Sequence, residues 1–114
     1  MALVVDDDEA LRVLCRVLLE LNNFSVLEAS SLAEAEAVLA QARPDVVLLD
    51  IHLGHEVSNE LFARLRAEGI PVAAVTGTAD VTDYVDRADA VLSKPFDPDA
   101  LVEIAQRLAK RSLP

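Results

Sequence analysis

The sequence predicts an α/β fold in which helices cover both faces of a five-stranded parallel β-sheet. Short apolar segments alternate along the chain with segments in which apolar residues recur at helical spacing, as repeated strand–helix units require. The segment at residues 46–49 is apolar without interruption, which is typical of a strand covered on both faces. Polar residues directly follow four of the five strands, at the sheet edge where α/β folds have their functional crevices.

The first half of the chain contains three predicted strands and two predicted helices. Residues 3–5 form the first strand, and apolar spacing predicts a helix over residues 9–21 that ends at an asparagine pair. Residues 24–29 form the second strand. A serine followed three residues later by a glutamate is a capping box, which predicts a helix over residues 31–41. The uninterrupted apolar segment at 46–49 is the third strand.

The next part of the chain contains a predicted loop, a helix and the fourth strand. Residues 51–58 are expected to form the loop. The helix carries apolar residues between positions 61 and 65 and ends at Gly69, because glycine readily adopts the left-handed conformation that terminates helices. Residues 72–75 form the fourth strand.

The last part of the chain contains the fifth strand, at residues 90–93, and a final helix. The preceding segment at 81–87 predicts a short helix, but it is brief and its surroundings are poor in helix formers. We therefore expect a shortened or mobile fourth helix. Asp97 caps the final helix, which begins with a proline and continues to about residue 111.

Length and composition indicate a single cytoplasmic domain without an output domain. The chain has 114 residues, a formal net charge of -10 and one cysteine, Cys15, which we expect in the core. The acidic surface repels nucleic-acid phosphates, so direct nucleic-acid binding is not expected. No apolar segment approaches the roughly 18 residues that a membrane span needs, and the N-terminus lacks the features of a secretory signal.

Polar residues at the strand ends predict a site for a metal ion and a phosphoryl group. Asp6 and Asp7 follow the first strand, Asp50 ends the third, Thr76 ends the fourth and Lys94 follows the fifth. Clustered carboxylates are stabilised by a divalent cation, and oxygen ligands favour Mg²⁺. A lysine and a hydroxyl suit phosphoryl oxygens, and an aspartate can attack phosphorus to form an acyl phosphate.

Four segments of the chain resemble the receiver domains of response regulators in two-component signalling, including the chemotaxis regulators. They are residues 3–7, 46–50, 75–77 and 92–96, and they occur in the order that the family has them. The resemblance covers essentially the whole chain. It implies a flavodoxin-like, doubly wound sheet with strand order 2-1-3-4-5.

The resemblance also implies the roles of the site residues. Asp50 would accept a phosphoryl group from a histidine kinase or a histidine phosphotransfer protein, and Thr76 and Lys94 would contact that group. The implied Mg²⁺ ligands are Asp7, Asp50 and the backbone carbonyl of His52, with Asp6 acting through water. The bond before Pro95 is expected to be cis, as is usual in the family.

The chain departs from the family pattern at several positions. Val91 stands where the family often has an aromatic residue that moves on activation, so the usual aromatic switch is not expected. Gly54 and Ser58 replace the common proline and glycine, which predicts a more flexible loop. The resemblance further implies that His52 and Thr78 occupy the two variable positions that flank the phosphoryl group and influence how long it survives.

The leading interpretation is an interaction module controlled by phosphorylation, which is not an enzyme and which acts on an unidentified output protein or forms a homodimer. One alternative is a receiver segment of a hybrid histidine kinase. A remote alternative is a haloacid dehalogenase-like phosphohydrolase, which would need a further acidic pair after Lys94 and a cap domain. A degenerate receiver that only binds protein is a third. A transition-metal site at His52, His55 and Glu56 lacks the helix and the further ligands that such sites need.

Overall fold

A computed structural model describes residues 1–50, 52–53, 56–57, 59–77, 88–94 and 96–111. The strands are β1 (Ala2–Val5), β2 (Val26–Ala29), β3 (Val46–Asp50), β4 (His52–Leu53), β5 (Glu56–Val57), β6 (Val72–Thr76) and β7 (Ala90–Ser93). The helices in the described residues are α1 (Glu9–Glu20), α2 (Leu32–Leu39), α3 (Asn59–Ala67) and α4 (Pro98–Arg111).

Five of these strands form one parallel sheet in the order β2-β1-β3-β6-β7. Counted along the main sheet alone, this is the predicted order 2-1-3-4-5, which is therefore confirmed. The register places Val5 beside Leu49 and Asp50 beside Val75. The carboxyl ends of the central strands are therefore level with one another, and the residues that follow them share one edge.

The core consists of two apolar layers, one on each face of the sheet, because alternate strand residues point to opposite faces. On one face, Leu3, Val47 and Ala74 pack with side chains of α2 and α3. On the other face, Val4 and Leu48 pack with side chains of α1 and α4. Helices packed on both faces bury β3 completely and account for its continuous apolar sequence, as predicted.

The helix ends follow from local hydrogen bonding. The Asp8 carboxylate accepts from the backbone N–H groups of Ala10 and Leu11, at 3.0 and 3.3 Å, and caps α1. The Ser31 hydroxyl caps α2 by accepting from the Glu34 N–H at 3.1 Å. The last helix begins at Pro98 and is preceded, as predicted, by Asp97, whose carboxylate accepts from the Asp99 N–H at 2.9 Å.

Two of the helices end in the same left-handed motif. Asn23 after α1 and Gly69 after α3 have φ of 71° and 72°. The N–H of Ile70, beyond Gly69, donates to the carbonyl of Leu65 five residues earlier, which is the Schellman arrangement. The predicted terminations of both helices are therefore confirmed.

Two local predictions were wrong. The second strand begins at Val26 and not at residue 24, because the N–H of Phe24 still donates to the carbonyl of Leu19 and completes the end of α1. The predicted loop at 51–58 contains β4 and β5, which pair antiparallel with His52 beside Val57. Strands of two residues have no periodic pattern from which they can be predicted.

Several predictions fall outside the described residues. They are the short fourth helix at 81–87, the cis bond before Pro95, and the properties assigned to Gly54, His55, Ser58 and Thr78. Within the part of the chain that the structure describes, no helix has both the length and the apolar character that crossing a membrane requires.

Candidate functional site

The predicted site residues lie at one edge of the sheet, where the parallel strands end. Asp6 follows β1, Asp50 is the last residue of β3, Thr76 is the last residue of β6 and Lys94 follows β7. Since all these strands run in the same direction, the fold collects residues that are up to 88 positions apart in sequence.

Three carboxylates form a cluster at this edge. Asp6, Asp7 and Asp50 each offer one oxygen, and these atoms all lie within 4.8 Å of one another. The Asp6 and Asp50 residues are buried, at 4% and 6% exposed, whereas Asp7 is exposed. A group of hard oxygen donors that is open to solvent on one side suits a divalent cation that keeps part of its water shell.

Lys94 lies beside two of these carboxylates. Its Nζ is 3.3 Å from Oδ2 of Asp50 and 3.4 Å from Oδ2 of Asp6. Partial burial lowers the pKa of Lys94, but the charges of Asp50 and then Asp6 raise it, so that the pKa is above its ordinary value. The ammonium group is therefore charged at neutral pH and supplies a fixed positive charge.

Asp6 is buried among groups of both signs. Burial raises the pKa of its carboxyl most, and the nearby Asp50 carboxylate raises it further. A hydrogen bond from the Asp8 N–H, at 2.9 Å, and the charge of Lys94 lower the pKa of Asp6 but do not cancel the rise. Two carboxylates in close proximity favour the arrival of a cation.

Thr76 and Lys94 are joined through their backbones. The Lys94 N–H donates to the Thr76 carbonyl at 2.7 Å, and Thr76 itself is 1% exposed. This bond extends the pairing of β6 and β7 to the edge of the site. The contact of the Thr76 hydroxyl with a phosphoryl group stays a prediction, as does the His52 carbonyl as a metal ligand. His52 lies in β4, two positions after Asp50.

Sequence reasoning missed Arg12 and Glu28. The Arg12 guanidinium donates to the Asp6 carbonyl at 2.8 Å and to the Glu28 carboxylate at 3.0 Å. The second strand, which lacks a polar residue at its end, therefore contributes to the site region through Glu28. The available signal was a single charge inside the otherwise apolar strand Val26–Ala29.

Cys15 belongs to the core, as predicted. It is 5% exposed and packs on the α1 and α4 face of the sheet. Burial, reinforced by the negative charge of Asp6, raises the pKa of the thiol to about 11. A thiol with that pKa is a poor nucleophile at neutral pH.

The sequence matches a known family over most of its length. The model of the response regulator receiver domain family matches residues 2–106. The chain belongs to this family. It is a receiver domain of response regulators, the phosphoacceptor part of two-component signalling systems.

Curated relatives of this receiver are response regulators. The phosphate regulon transcriptional regulatory protein PhoB of Pseudomonas aeruginosa is 31% identical over 98% of the chain, which corresponds to 52% of PhoB. The response regulator MprA of Mycobacterium sp. strain KMS is 35% identical over 98% of the chain and 51% of MprA. The chain spans about half the length of these relatives. Their class favours a response regulator over a hybrid histidine kinase.

Solved structures of receivers have the same architecture. The receiver domain of NtrX from Brucella abortus matches with a TM-score of 0.88 at 25% identity, covering 96% of this chain and 98% of that one. The chemotaxis response regulator CheY4 of Vibrio cholerae matches with a TM-score of 0.81 at 25% identity, covering 94% and 96%. The flavodoxin-like fold implied by the resemblance is thereby confirmed.

Proposed function

We propose that Asp50 of this receiver accepts a phosphoryl group from a histidine kinase or a histidine phosphotransfer protein. The observation that carries the proposal is the environment of the Asp50 carboxylate. It is buried at the end of β3, lies 3.3 Å from the Lys94 ammonium, and shares its edge with two further carboxylates within 4.8 Å. Asp6 is also buried and lies 3.4 Å from the same ammonium, so the choice of Asp50 rests on its position at the end of the central strand β3, where the family resemblance places the acceptor.

The acidic cluster fits Mg²⁺, which we propose as the cofactor. Asp7, Asp50 and the His52 carbonyl would hold the ion, with Asp6 acting through water. All of these are oxygen donors, which Mg²⁺ prefers, and the exposure of Asp7 leaves room for water and phosphate oxygens. When bound, the ion neutralises negative charge on the phosphoryl group and on the cluster.

The chain's own groups account for the remaining chemistry. A carboxylate oxygen of Asp50 forms a bond to phosphorus as the bond between phosphorus and the donor's imidazole nitrogen breaks, and the imidazole leaves with the electron pair. Lys94 is already positioned beside the attacking carboxylate, so its charge stabilises the phosphoryl oxygens without rearrangement. The Thr76 hydroxyl donates to another phosphoryl oxygen.

The proposed output is binding of a partner protein, and phosphorylation controls it. We propose that residues 1–114 form one receiver domain that acts in the cytoplasm by protein contacts, is not itself an enzyme, and has an output protein or a second copy as its partner. The relatives include a protein named as a DNA-binding regulator, RpaA of Synechocystis. With a net charge of -10, this chain is not suited to contact DNA directly.

The test is phosphorylation by a small phosphodonor, read by intact mass spectrometry. The protein is incubated with acetyl phosphate in Mg²⁺ and, as a control, in EDTA. We expect addition of one phosphoryl group in Mg²⁺ and none in EDTA. If the folded protein gains no phosphoryl group in Mg²⁺, and its own kinase does not phosphorylate it either, the proposed phosphorylation is rejected. A receiver that only binds protein would then be favoured.

A further inference from the structure

Arg12 connects the acidic site to β2, the outer strand of the sheet beside β1. Its side chain is 16% exposed and extends from α1 across the end of β1. One guanidinium nitrogen, Nη1, donates to the Asp6 carbonyl at 2.8 Å, and another, Nε, donates to Oε1 of Glu28 at 3.0 Å. Two directed hydrogen bonds from one rigid planar group fix the relative positions of both acceptors.

The bond to the Asp6 carbonyl restrains the chain at the point where the acidic residues begin. That carbonyl belongs to the planar peptide unit that also contains the nitrogen and the Cα of Asp7. The Asp6 N–H is held by the Ala29 carbonyl at 3.0 Å, and its carboxylate accepts from the Asp8 N–H at 2.9 Å. Arg12 therefore sets the orientation of the peptide from which the exposed Asp7 carboxylate extends.

Arg12 is itself held in place by Glu28. The second oxygen of Glu28 accepts from Nη1 of Arg16 at 2.6 Å, one turn further along α1. Glu28 lies in β2 beside Val4 of β1, so its position is fixed by the sheet ladder. Arg16 and Arg12 thus share one carboxylate, but within the described part of the chain only Arg12 also donates to the backbone of the site.

We infer that Arg12 is a positioning residue that, with Glu28 as its anchor, presets the Asp6–Asp7 backbone for binding the divalent cation. The inference rests on the proposed function, because it assigns Arg12 to the metal step of the same site. By its charge alone, an arginine near a cation site would repel the ion. A positioning role accounts for an arginine at this place. Its contribution is geometric and comes from donating in two directions at once.

The test compares two substitutions that keep the charge. Arg12→Lys loses the double donation, whereas Arg16→Lys alters the same Glu28 pair without touching Asp6. Mg²⁺ binding is followed by amide NMR titration, and phosphorylation by acetyl phosphate is measured against Mg²⁺ concentration. We expect Arg12→Lys to bind Mg²⁺ about tenfold more weakly. Its phosphorylation rate should nearly recover at saturating Mg²⁺, and Arg16→Lys should match the wild type.

The outcomes separate this inference from the proposed function. If the wild type is phosphorylated normally and Arg12→Lys binds Mg²⁺ as tightly as the wild type, only the inference is overturned. The same holds if Arg16→Lys loses as much Mg²⁺ affinity as Arg12→Lys. A wild type that neither binds Mg²⁺ nor accepts phosphate overturns the proposed function and the inference with it. Thermal unfolding in EDTA checks that each variant is folded. Should Arg12→Lys unfold, Glu28→Gln replaces it, with weaker Mg²⁺ binding expected and unchanged binding contradicting the inference.

Discussion

Lys94 balances two opposing demands at the scale of single residues. Its ammonium partly neutralises Asp6 and Asp50. In the proposed function it also provides positive charge for a phosphoryl group. The carboxylates that it contacts are the same groups that attract the metal. We therefore expect Lys94 and a divalent cation to compete electrostatically in the resting site and to cooperate in a phosphorylated one.

Replacing Lys94 by glutamine is expected to have opposite effects on these two steps. Mg²⁺ should bind more tightly, because a positive charge within 3.4 Å of two carboxylates is removed. Phosphorylation by acetyl phosphate at saturating Mg²⁺ should slow by about 100-fold, because the phosphoryl charge loses a fixed donor. An NMR titration and a mass-spectrometric time course measure the two quantities. Unchanged rates would show that Lys94 does not contact the reacting group.

The buried thiol of Cys15 gives a prediction for the dependence of stability on pH. The pKa of the thiol is about 11 in the folded protein, above its value in the unfolded chain. The contribution of the protonated thiol to the free energy of unfolding is therefore complete below the unfolded pKa and is lost as pH rises through the folded pKa. Between pH 8 and pH 10.5 the wild type should lose about 2 kcal/mol of unfolding free energy relative to Cys15→Ala. Urea unfolding of both proteins across this range provides the measurement, and a constant difference would contradict the raised pKa.

The Arg12–Glu28 pair illustrates what the sequence does not reveal about single residues. Asp6, Asp50, Thr76 and Lys94 could be predicted because each follows an apolar strand, and parallel strand ends must meet. Arg12 lies inside a helix and Glu28 inside a strand, 16 positions apart. Their contact depends on how α1 packs against β2, and apolar spacing does not specify the polar partners of a helix.

At the scale of elements, the left-handed residues that end α1 and α3 were predictable because they have a local cause. Asparagine and glycine tolerate positive φ, so Asn23 and Gly69 stand where the chain reverses. The hairpin of β4 and β5 has no such signal. The start of β2 was also misplaced, because an aromatic residue that completes the preceding helix end is apolar like a strand residue.

Gly69→Ala is expected to destabilise the domain by about 1 kcal/mol, because alanine at φ +72° is strained. The matched substitution is Gly77→Ala. A Cβ at Gly77 would lie 3.7 Å from Cβ of Lys94, an ordinary contact, and no positive φ is required there. Urea unfolding of both variants provides the comparison. A loss at Gly77 as large as that at Gly69 would contradict the conformational explanation.

At the scale of the whole molecule, the fold brings three acidic residues together at the carboxyl ends of the strands. The net charge is -10, and three carboxylates converge at one sheet edge, two of them buried. Such a site is destabilising until a cation arrives, because like charges are held together in a poorly solvated place. Cation binding should therefore be coupled to the stability of the entire domain.

Mg²⁺ is expected to raise the melting temperature of the wild type, since a ligand that binds the folded state stabilises it in proportion to the logarithm of its concentration. Asp7→Asn should abolish most of this increase, because it removes the exposed carboxylate that we propose as a ligand. Asp99→Asn, which alters a carboxylate in the first turn of α4, is the control for loss of charge. Calorimetry of the three proteins in Mg²⁺ and in EDTA measures the effect. An increase in Asp7→Asn equal to that of the wild type would place the ion elsewhere.

The most direct test compares two aspartates at opposite ends of the same strand. Asp50 is the last residue of β3. Asp45 immediately precedes β3, at the amino-terminal end of the strand, and pairs with the N-terminal amine. Asp50→Asn, Asp45→Asn and the wild type are incubated with acetyl phosphate and Mg²⁺ and weighed intact. We expect addition of one phosphoryl group to the wild type and to Asp45→Asn, and none to Asp50→Asn. Addition to Asp50→Asn at the rate of the wild type would contradict this expectation and assign the acceptor to another residue.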